Sequence, residues 1–294
     1  MPASMAGYQS SMLPAGRCAS GALAAAAAWQ KPSRRLRMRW RSGCGRLLTM
    51  SLLTRAIRGA VGKAGYDISR RALPADFDNE IVEIFGKVRS ETATSPERVA
   101  AVVQAVRYVD RFKIPGALVE CGVWRGGSSM ALALSHSARS REVFLYDTFE
   151  GMSEPTDLDV DLNGNPASQL LAAQLPNDHS VWAVAALDIV RNNMVSTGYP
   201  QDKVQYVQGK VEDTIPATLP DQIAVLRLDT DWYQSTKHEL KHLVPLVAPG
   251  GVLIIDDYGH WQGARRAVDE WLEASPRPIL LNRTDYTGRI AVLP

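Results

Sequence analysis

The first 66 residues lack acid altogether. No Asp or Glu occurs before Asp67, against eleven Lys or Arg, so residues 67–294 hold 22 basic and 31 acidic side chains, a net of about −9. A body of that sign is a poor partner for nucleic acid or for an anionic bilayer. Cysteine is scarce: Cys18, Cys44 and Cys121 are widely spaced and form no C-x-x-C pair, which excludes a disulfide framework and a zinc cluster and fits a reducing, cytoplasmic setting. Long apolar runs are missing too. The alanine-rich "GALAAAAAW" is too short to span a bilayer, and the arginines follow it instead of preceding it as a secretory signal requires. There is no phosphate-binding G-x-x-x-x-G-K-[ST] loop and no G-x-G-x-x-G turn.

What is present divides in three. Residues 1–49, with "QKPSRRLRMRWRSGCGRLL", read as a disordered extension or a non-native start ahead of Met50, with a transit peptide or a phosphate-binding arm as the other readings. Residues 50–94 read as an N-terminal helical segment. Its "SLLTRAIRGAVGKAGYDISRR" sets basic residues between apolar ones at helical spacing, which suits a helix packed on the body or one lying on a membrane surface. Residues 95–294 read as one catalytic or binding domain.

In that domain helix and strand patterns alternate. "SPERVAAVVQAVRYVDRF" begins with Ser95 as a cap, Pro96 at the first helical position and Glu97 in the first turn. Strand candidates are "ALVEC", "EVFLYD", "VQYVQG", "IAVLRLD", "GGVLIIDD", "RPILLN" and "RIAVLP". Helical patterns separate the first five, while only "RTDYTG" separates the last two, which predicts a closing hairpin. The whole is an α/β, doubly wound sheet, and such sheets bind ligands beyond the carboxyl ends of their strands.

The polar residues predicted at those ends are specific. "VECGVWRGGSS" places Gly122, Gly126 and Gly127 in a strand-to-helix turn behind Glu120; Trp124 stands where a dinucleotide site needs glycine. That turn suits a ligand with a cationic amino-acid part, or is a tight turn and nothing more. "YDTFEGM" puts Asp147 where acids commonly accept from ribose hydroxyls. "LRLDTDWYQST" and "LIIDDYGHW" bring Asp229, Asp231, Asp256 and Asp257 to one edge. Carboxylates so crowded call for a hard divalent cation, or else are helix caps and solvated acids. On repulsion alone, Asp256→Asn or Asp257→Asn should leave the fold intact and raise metal-free stability.

These motifs, with "GYPQDKVQYVQGKVEDTIP" and "QGARRAVDEW", occur in order and together resemble the TylF/macrocin O-methyltransferase family over roughly residues 75–294. The resemblance implies a seven-stranded Rossmann-like methyltransferase sheet with an antiparallel last strand, using S-adenosylmethionine and Mg²⁺ or a similar cation. It implies cofactor contacts from Glu120, Cys121, Gly122, Val123, Trp124, Gly126, Gly127, Ser128, Asp147, Thr148, Phe149, Gly209 and Val211. It implies metal ligands Asp229, Asp256 and Asp257, with Asp229 or Asp231 also placed to take the substrate proton. Apart from the resemblance, His260, close behind the acid pair, reads either as a second base or substrate contact or as a helix-entry residue that merely partners the acids. The acceptor would be a hydroxyl of a sugar or glycosylated natural product, and a homo-oligomer is compatible with helices before the first strand. Two other functions compete at this stage: a nicotinamide-dependent sugar oxidoreductase, and a non-catalytic binding module. Residues 153–182, acidic and punctuated by Gly and Pro, read either as a lid over the acceptor or as a partly disordered insertion. Cys121 reads as packing, since no polarising partner adjoins it.

Overall fold

A computed structural model describes residues 73–173 and 184–294; the readings of residues 1–72 and 174–182 lie outside it. Helix α1 (Asn79–Val88) begins where Asp78 Oδ1 accepts from the Ile81 amide at 3.0 Å, and Ile81, Ile84 and Val88 form its buried stripe. Helix α2 (Pro96–Arg111) begins as expected, with Ser95 Oγ accepting from the Arg98 amide at 3.2 Å and Pro96 in first position.

There follow β1 (Ala117–Cys121), α3 (Gly127–Ser135), β2 (Val143–Asp147), α4 (Ala167–Ala172), α5 (Leu187–Ser196), β3 (Val204–Gln208) and α6 (Val211–Thr214). The chain closes with β4 (Ile223–Leu228), α7 (Tyr233–Leu243), β5 (Val247–Ile255), α8 (Gln262–Ala274), β6 (Asn282–Arg283) and β7 (Arg289–Val292). The sheet order is β3-β2-β1-β4-β5-β7-β6, with β1 to β5 parallel and β7 antiparallel to both its neighbours. This is the expected doubly wound sheet of seven strands with its antiparallel end.

The apolar strands do not alternate with polar residues because both faces are covered. Leu118 of β1 packs with side chains of α1, α2, α3 and α5, whereas Val119 and Cys121 pack with those of α6, α7 and α8. Fully burying each Val or Leu contributes roughly 1.5–3 kcal/mol, so the strand order is held from both sides. The order reverses at β1, which has β2 on one side and β4 on the other, and that reversal creates the crevice used by ligands in such sheets.

Two strand boundaries differ from expectation. β5 starts at Val247, earlier than "GGVLIIDD", and "RPILLN" contributes only Asn282 to the sheet. The second stretch runs at the sheet edge, Pro278 has no amide to donate and Leu280 is 76% exposed, while Ile279 and Leu281 pack, partly buried, against the core without joining the sheet. Among the described residues no helix is long and apolar enough to cross a membrane.

Candidate active site

Strand register brings the singled-out residues to one row. Cys121 pairs with Tyr146 and Leu228, Leu228 with Ile255, and Asp147 with Gln208, so Gly122, Asp147, Gly209, Asp229 and Asp256 all follow the same sheet edge. The turn after β1 crosses directly over the end of β4. Gly122 has φ +79°, and a Cβ there would lie 1.9 Å from the Asp229 carbonyl oxygen, so only glycine fits. Asp147 fastens this turn: its Oδ2 accepts from the amides of Val123 at 2.6 Å and Trp124 at 2.9 Å, and its Oδ1 from that of Phe149 at 2.7 Å. Thr148 Oγ1 donates to the Gly151 carbonyl at 2.5 Å, and the Gly209 amide to the Asp147 carbonyl at 3.0 Å. Gly126, left-handed, starts α3, where Gly127 and Ser128 are buried; Val211, also buried, starts α6. Cys121 is fully buried, and burial, followed by nearby Glu239, pushes its thiol well above the usual range, as packing requires.

The acids have partners that their own motifs did not reveal. Arg227, on β4 and 1% exposed, binds Glu120, lies 2.8 Å from Asp229 Oδ2 and 2.9 Å from Asp256 Oδ1, and donates to Thr94 Oγ1 at 3.1 Å. Burial opposes its charge, but Asp229, Asp256 and Glu120 together hold it protonated. Arg98, from the first turn of α2, binds Asp256 Oδ2 and lies 3.0 Å from Asp285 Oδ2. Glu120, with no exposed surface, meets Arg227 and Ser129. Asp256 touches both guanidiniums and also repels Asp229 and Asp257, so removing its charge withdraws an ion-pair partner as well as relieving repulsion. The available signal was the lone arginine inside the apolar "IAVLRLD": a charge in a strand buried on both faces must have anionic partners.

Asp231 and Asp257 form the other half. Asp257 Oδ2 accepts from the Asp231 amide at 3.1 Å, and Asp231 Oδ1 from Trp261 Nε1 at 2.6 Å. Burial, then the charge of Asp229, pushes the Asp231 carboxyl up to about 7. Asp229 and Asp257 are driven well above their ordinary values, each first by burial and then by neighbouring acids that the arginines only partly offset. His260 stands at the start of α8, its ring edge-on to Trp261 and to Tyr286, with Nδ1 3.2 Å from the Tyr286 hydroxyl; burial lowers its pKa and favours the neutral base.

The described part of the 153–182 loop is folded onto this site. Fully buried Asp159 accepts from the Tyr233 amide at 2.8 Å, at the start of α7, and from the Thr156 amide at 2.7 Å. The Gln262 amide donates to the Val160 carbonyl at 2.9 Å, and Trp232 Nε1 to the Ser153 carbonyl at 2.9 Å. Ala167, Leu171 and Trp232, backed by Met152 and Trp261, make a small apolar cluster beside Asp231. Residues 153–173 are therefore a fastened strap.

For a divalent cation the donor chemistry fits: Asp229, Asp256 and Asp257 offer oxygen alone, and buried Asp256 Oδ1 has no hydrogen-bond partner, being out of line with Arg227. As the side chains stand, no three His, Cys, Asp or Glu among the described residues are gathered to hold a metal, and both arginines engage Asp256.

The macrocin-O-methyltransferase (TylF) family matches residues 46–290. The chain is 38% identical over 148 residues to a Streptomyces olivaceus 8-demethyl-8-(2,3-dimethoxy-alpha-L-rhamnosyl)-tetracenomycin-C 4'-O-methyltransferase, covering 49% of this chain and 54% of that protein. It is 35% identical over 185 residues to demethyldecarbamoylnovobiocin O-methyltransferase of Streptomyces niveus, covering 62% and 68%. The first of these matches thus spans about half of the relative's own length. The solved structure of the O-methyltransferase NovP superposes with a TM-score of 0.59 at 28% identity, covering 83% of this chain and 98% of that one. The chain belongs to the macrocin-O-methyltransferase (TylF) family of S-adenosylmethionine-dependent O-methyltransferases.

Proposed function

We propose that this chain moves the methyl of S-adenosylmethionine to a hydroxyl of a sugar or glycosylated natural product, with a divalent cation such as Mg²⁺ held by Asp229, Asp256 and Asp257. The observation that carries the reading is the convergence of the glycine turn, Asp147 and four aspartates on one edge of this family's sheet. The relatives' names support the acceptor class: one acts on a rhamnosyl tetracenomycin and another is a mycinamicin III 3''-O-methyltransferase, 31% identical.

When bound, S-adenosylmethionine supplies a methyl already activated on sulfonium, and the cation supplies a lower pKa for the hydroxyl it contacts. The protein's share is to position and to take a proton. The turn from Gly122 to Ser128, braced from behind by Glu120 and Arg227, would hold the methionine part of the cofactor; Asp147 would hold the ribose, with Thr148, Phe149, Gly209 and Val211 as further contacts. A carboxylate of Asp229 or Asp231 would take the proton of the acceptor hydroxyl as it is methylated, with His260 as the other base within the cluster. Trp261 orients Asp231, and the strap keeps water from that side.

Calorimetry with S-adenosylmethionine, followed by a methyl-transfer assay on methyl α-L-rhamnopyranoside with Mg²⁺ or with a chelator, tests this. Cofactor binding with chelator-sensitive formation of S-adenosylhomocysteine is expected. Turnover undiminished by chelator would remove the cation from the reading, and a chain that does not bind the cofactor would remove the whole of it.

A further inference from the structure

A buried acid on α7 takes no part in the chemistry above. Glu239 has no exposed surface; its Oε1 accepts from Thr230 Oγ1 at 3.0 Å, and its Oε2 has no hydrogen-bond partner among the described residues. Burial pushes its carboxyl well above the ordinary range, with the Thr230 hydrogen bond opposing and the nearby acids Glu212 and Asp257 adding to the push. A carboxyl kept there is costly, and the packing of α7 on the sheet comes from Leu240 and Leu243 instead. What Glu239 holds is Thr230.

Thr230 stands between Asp229 and Asp231, and it is gripped from several sides. A Cβ on Gly122 would lie 3.2 Å from its amide nitrogen, its carbonyl accepts from the Trp232 amide at 2.8 Å and from Ser235 Oγ at 3.3 Å, and Glu239 takes its hydroxyl. The next residue, Asp231, is left-handed at φ +67°, a conformation that a side-chain-bearing residue keeps only where its surroundings impose it. That turn brings the Asp231 amide to Asp257 Oδ2 at 3.1 Å and its carboxylate to Trp261 Nε1 at 2.6 Å. Asp257 and Trp261 thus fix Asp231 from one side, and the hold on Thr230 fixes it from the other.

We infer that Glu239 is a positioning residue for Asp231: by holding the Thr230 hydroxyl from the α7 side, it keeps the left-handed turn that aims the Asp231 carboxylate at Trp261 and into the site. An oxygen acceptor is what the position requires, so glutamine serves there and leucine does not. The consequence for catalysis rests on the proposed methyl transfer with Asp231 as a base; the placement of the carboxylate does not.

The test is the indole N–H spectrum of the full chain carrying ¹⁵N-tryptophan, with Trp261 and Trp271 assigned through Trp261→Phe and Trp271→Phe, and with Asp231→Ala marking full loss of the Trp261 hydrogen bond. Glu239→Leu and Thr230→Val should each move the Trp261 resonance at least half of the way to its Asp231→Ala position, and Glu239→Gln should leave it close to wild type. Trp271 packs on the same core as Leu240 and Leu243, so a merely loosened α7 would move its resonance too; it should stay in place throughout. With S-adenosylmethionine and methyl α-L-rhamnopyranoside, Glu239→Leu should lose about tenfold in kcat at unchanged cofactor Kd, and Glu239→Gln should recover most of that loss. A Trp261 resonance unmoved in Glu239→Leu and Thr230→Val, one displaced as far by Glu239→Gln as by Glu239→Leu, or a Trp271 resonance that moves with it overturns the positioning. Should Glu239→Leu fail to fold, Thr230→Val decides by the same shift. The expected Trp261 shifts in a chain that transfers no methyl uphold the positioning and remove the methyl-transfer reading instead.

Discussion

At the scale of single residues, four neighbouring aspartates have unlike consequences because the arginines reach only some of them. Asp256 balances Arg98 and Arg227, so Asp256→Asn should destabilise the metal-free protein by about 3 kcal/mol, the usual cost of leaving buried charge uncompensated. Among the described residues Asp231 has no cationic partner, and it is pushed up to about 7, so the native state holds a proton that the unfolded chain releases near the ordinary aspartate value of 3.8. That contribution to stability is complete below the unfolded value and is lost as pH rises through the folded one. Asp231→Asn should therefore flatten the fall in melting temperature from pH 4 to 7, and by pH 8 melt higher than wild type by roughly 2–4 °C per kcal/mol regained. Scanning calorimetry across that range checks both; a destabilised Asp231→Asn together with a stabilised Asp256→Asn would reverse the assignment. The acids themselves were legible from "DTDW" and "IIDDY", because paired carboxylates ending an apolar strand need a reason. Arg98 was not, since an arginine in the first turn of an amphipathic helix is ordinary until the fold places Asp256 beside it.

At the scale of elements, the site depends on a turn that leaves no room for a side chain. Gly122 sits over the end of β4 at φ +79°, whereas Gly164 in the strap has φ +85° with no atom within 4 Å of a built Cβ. The pair separates steric closure from backbone strain. Gly164→Ala should cost about 1 kcal/mol, the penalty of a left-handed alanine. Gly122→Ala adds a clash with the Asp229 carbonyl that must part β1 from β4, and should cost about 3 kcal/mol or more and abolish S-adenosylmethionine binding. Urea titration and calorimetry distinguish the two; equal losses would mean the close approach is unimportant. Periodicity predicted the parallel strands because burial on both faces writes itself as unbroken Val, Leu and Ile. It failed at "RPILLN", where the apolar letters lie along an edge, and it left open whether the 153–182 loop was ordered, because the bonds from Asp159 and Val160 to α7 and α8 are long-range and carry no local pattern.

At the scale of the whole molecule, the division of shared sequence falls inside the acid-free stretch and ahead of the division of charge. The acid-free stretch ends at Asp67, while the family match begins at residue 46 and includes the segment 50–94. We propose residues 95–294 as the catalytic unit with 50–94 leading into it; in the described part of that lead-in lies α1, whose Ile81, Ile84 and Val88 belong to the same core as α2 and β1. Residues 1–49 contribute only four positions to the family match, and eight of the chain's basic residues without one acid. A chain starting at Met50 should therefore bind S-adenosylmethionine with unchanged affinity and melt within about 2 °C of the full chain, a difference below 1 kcal/mol for a domain of this size. Extending the deletion to residue 94 removes α1 from the core, and should lower stability by several kcal/mol because three buried aliphatic side chains go with it. If the Met50 chain is instead insoluble or melts far lower, residues 1–49 are part of the folded unit and the boundary at residue 50 is wrong.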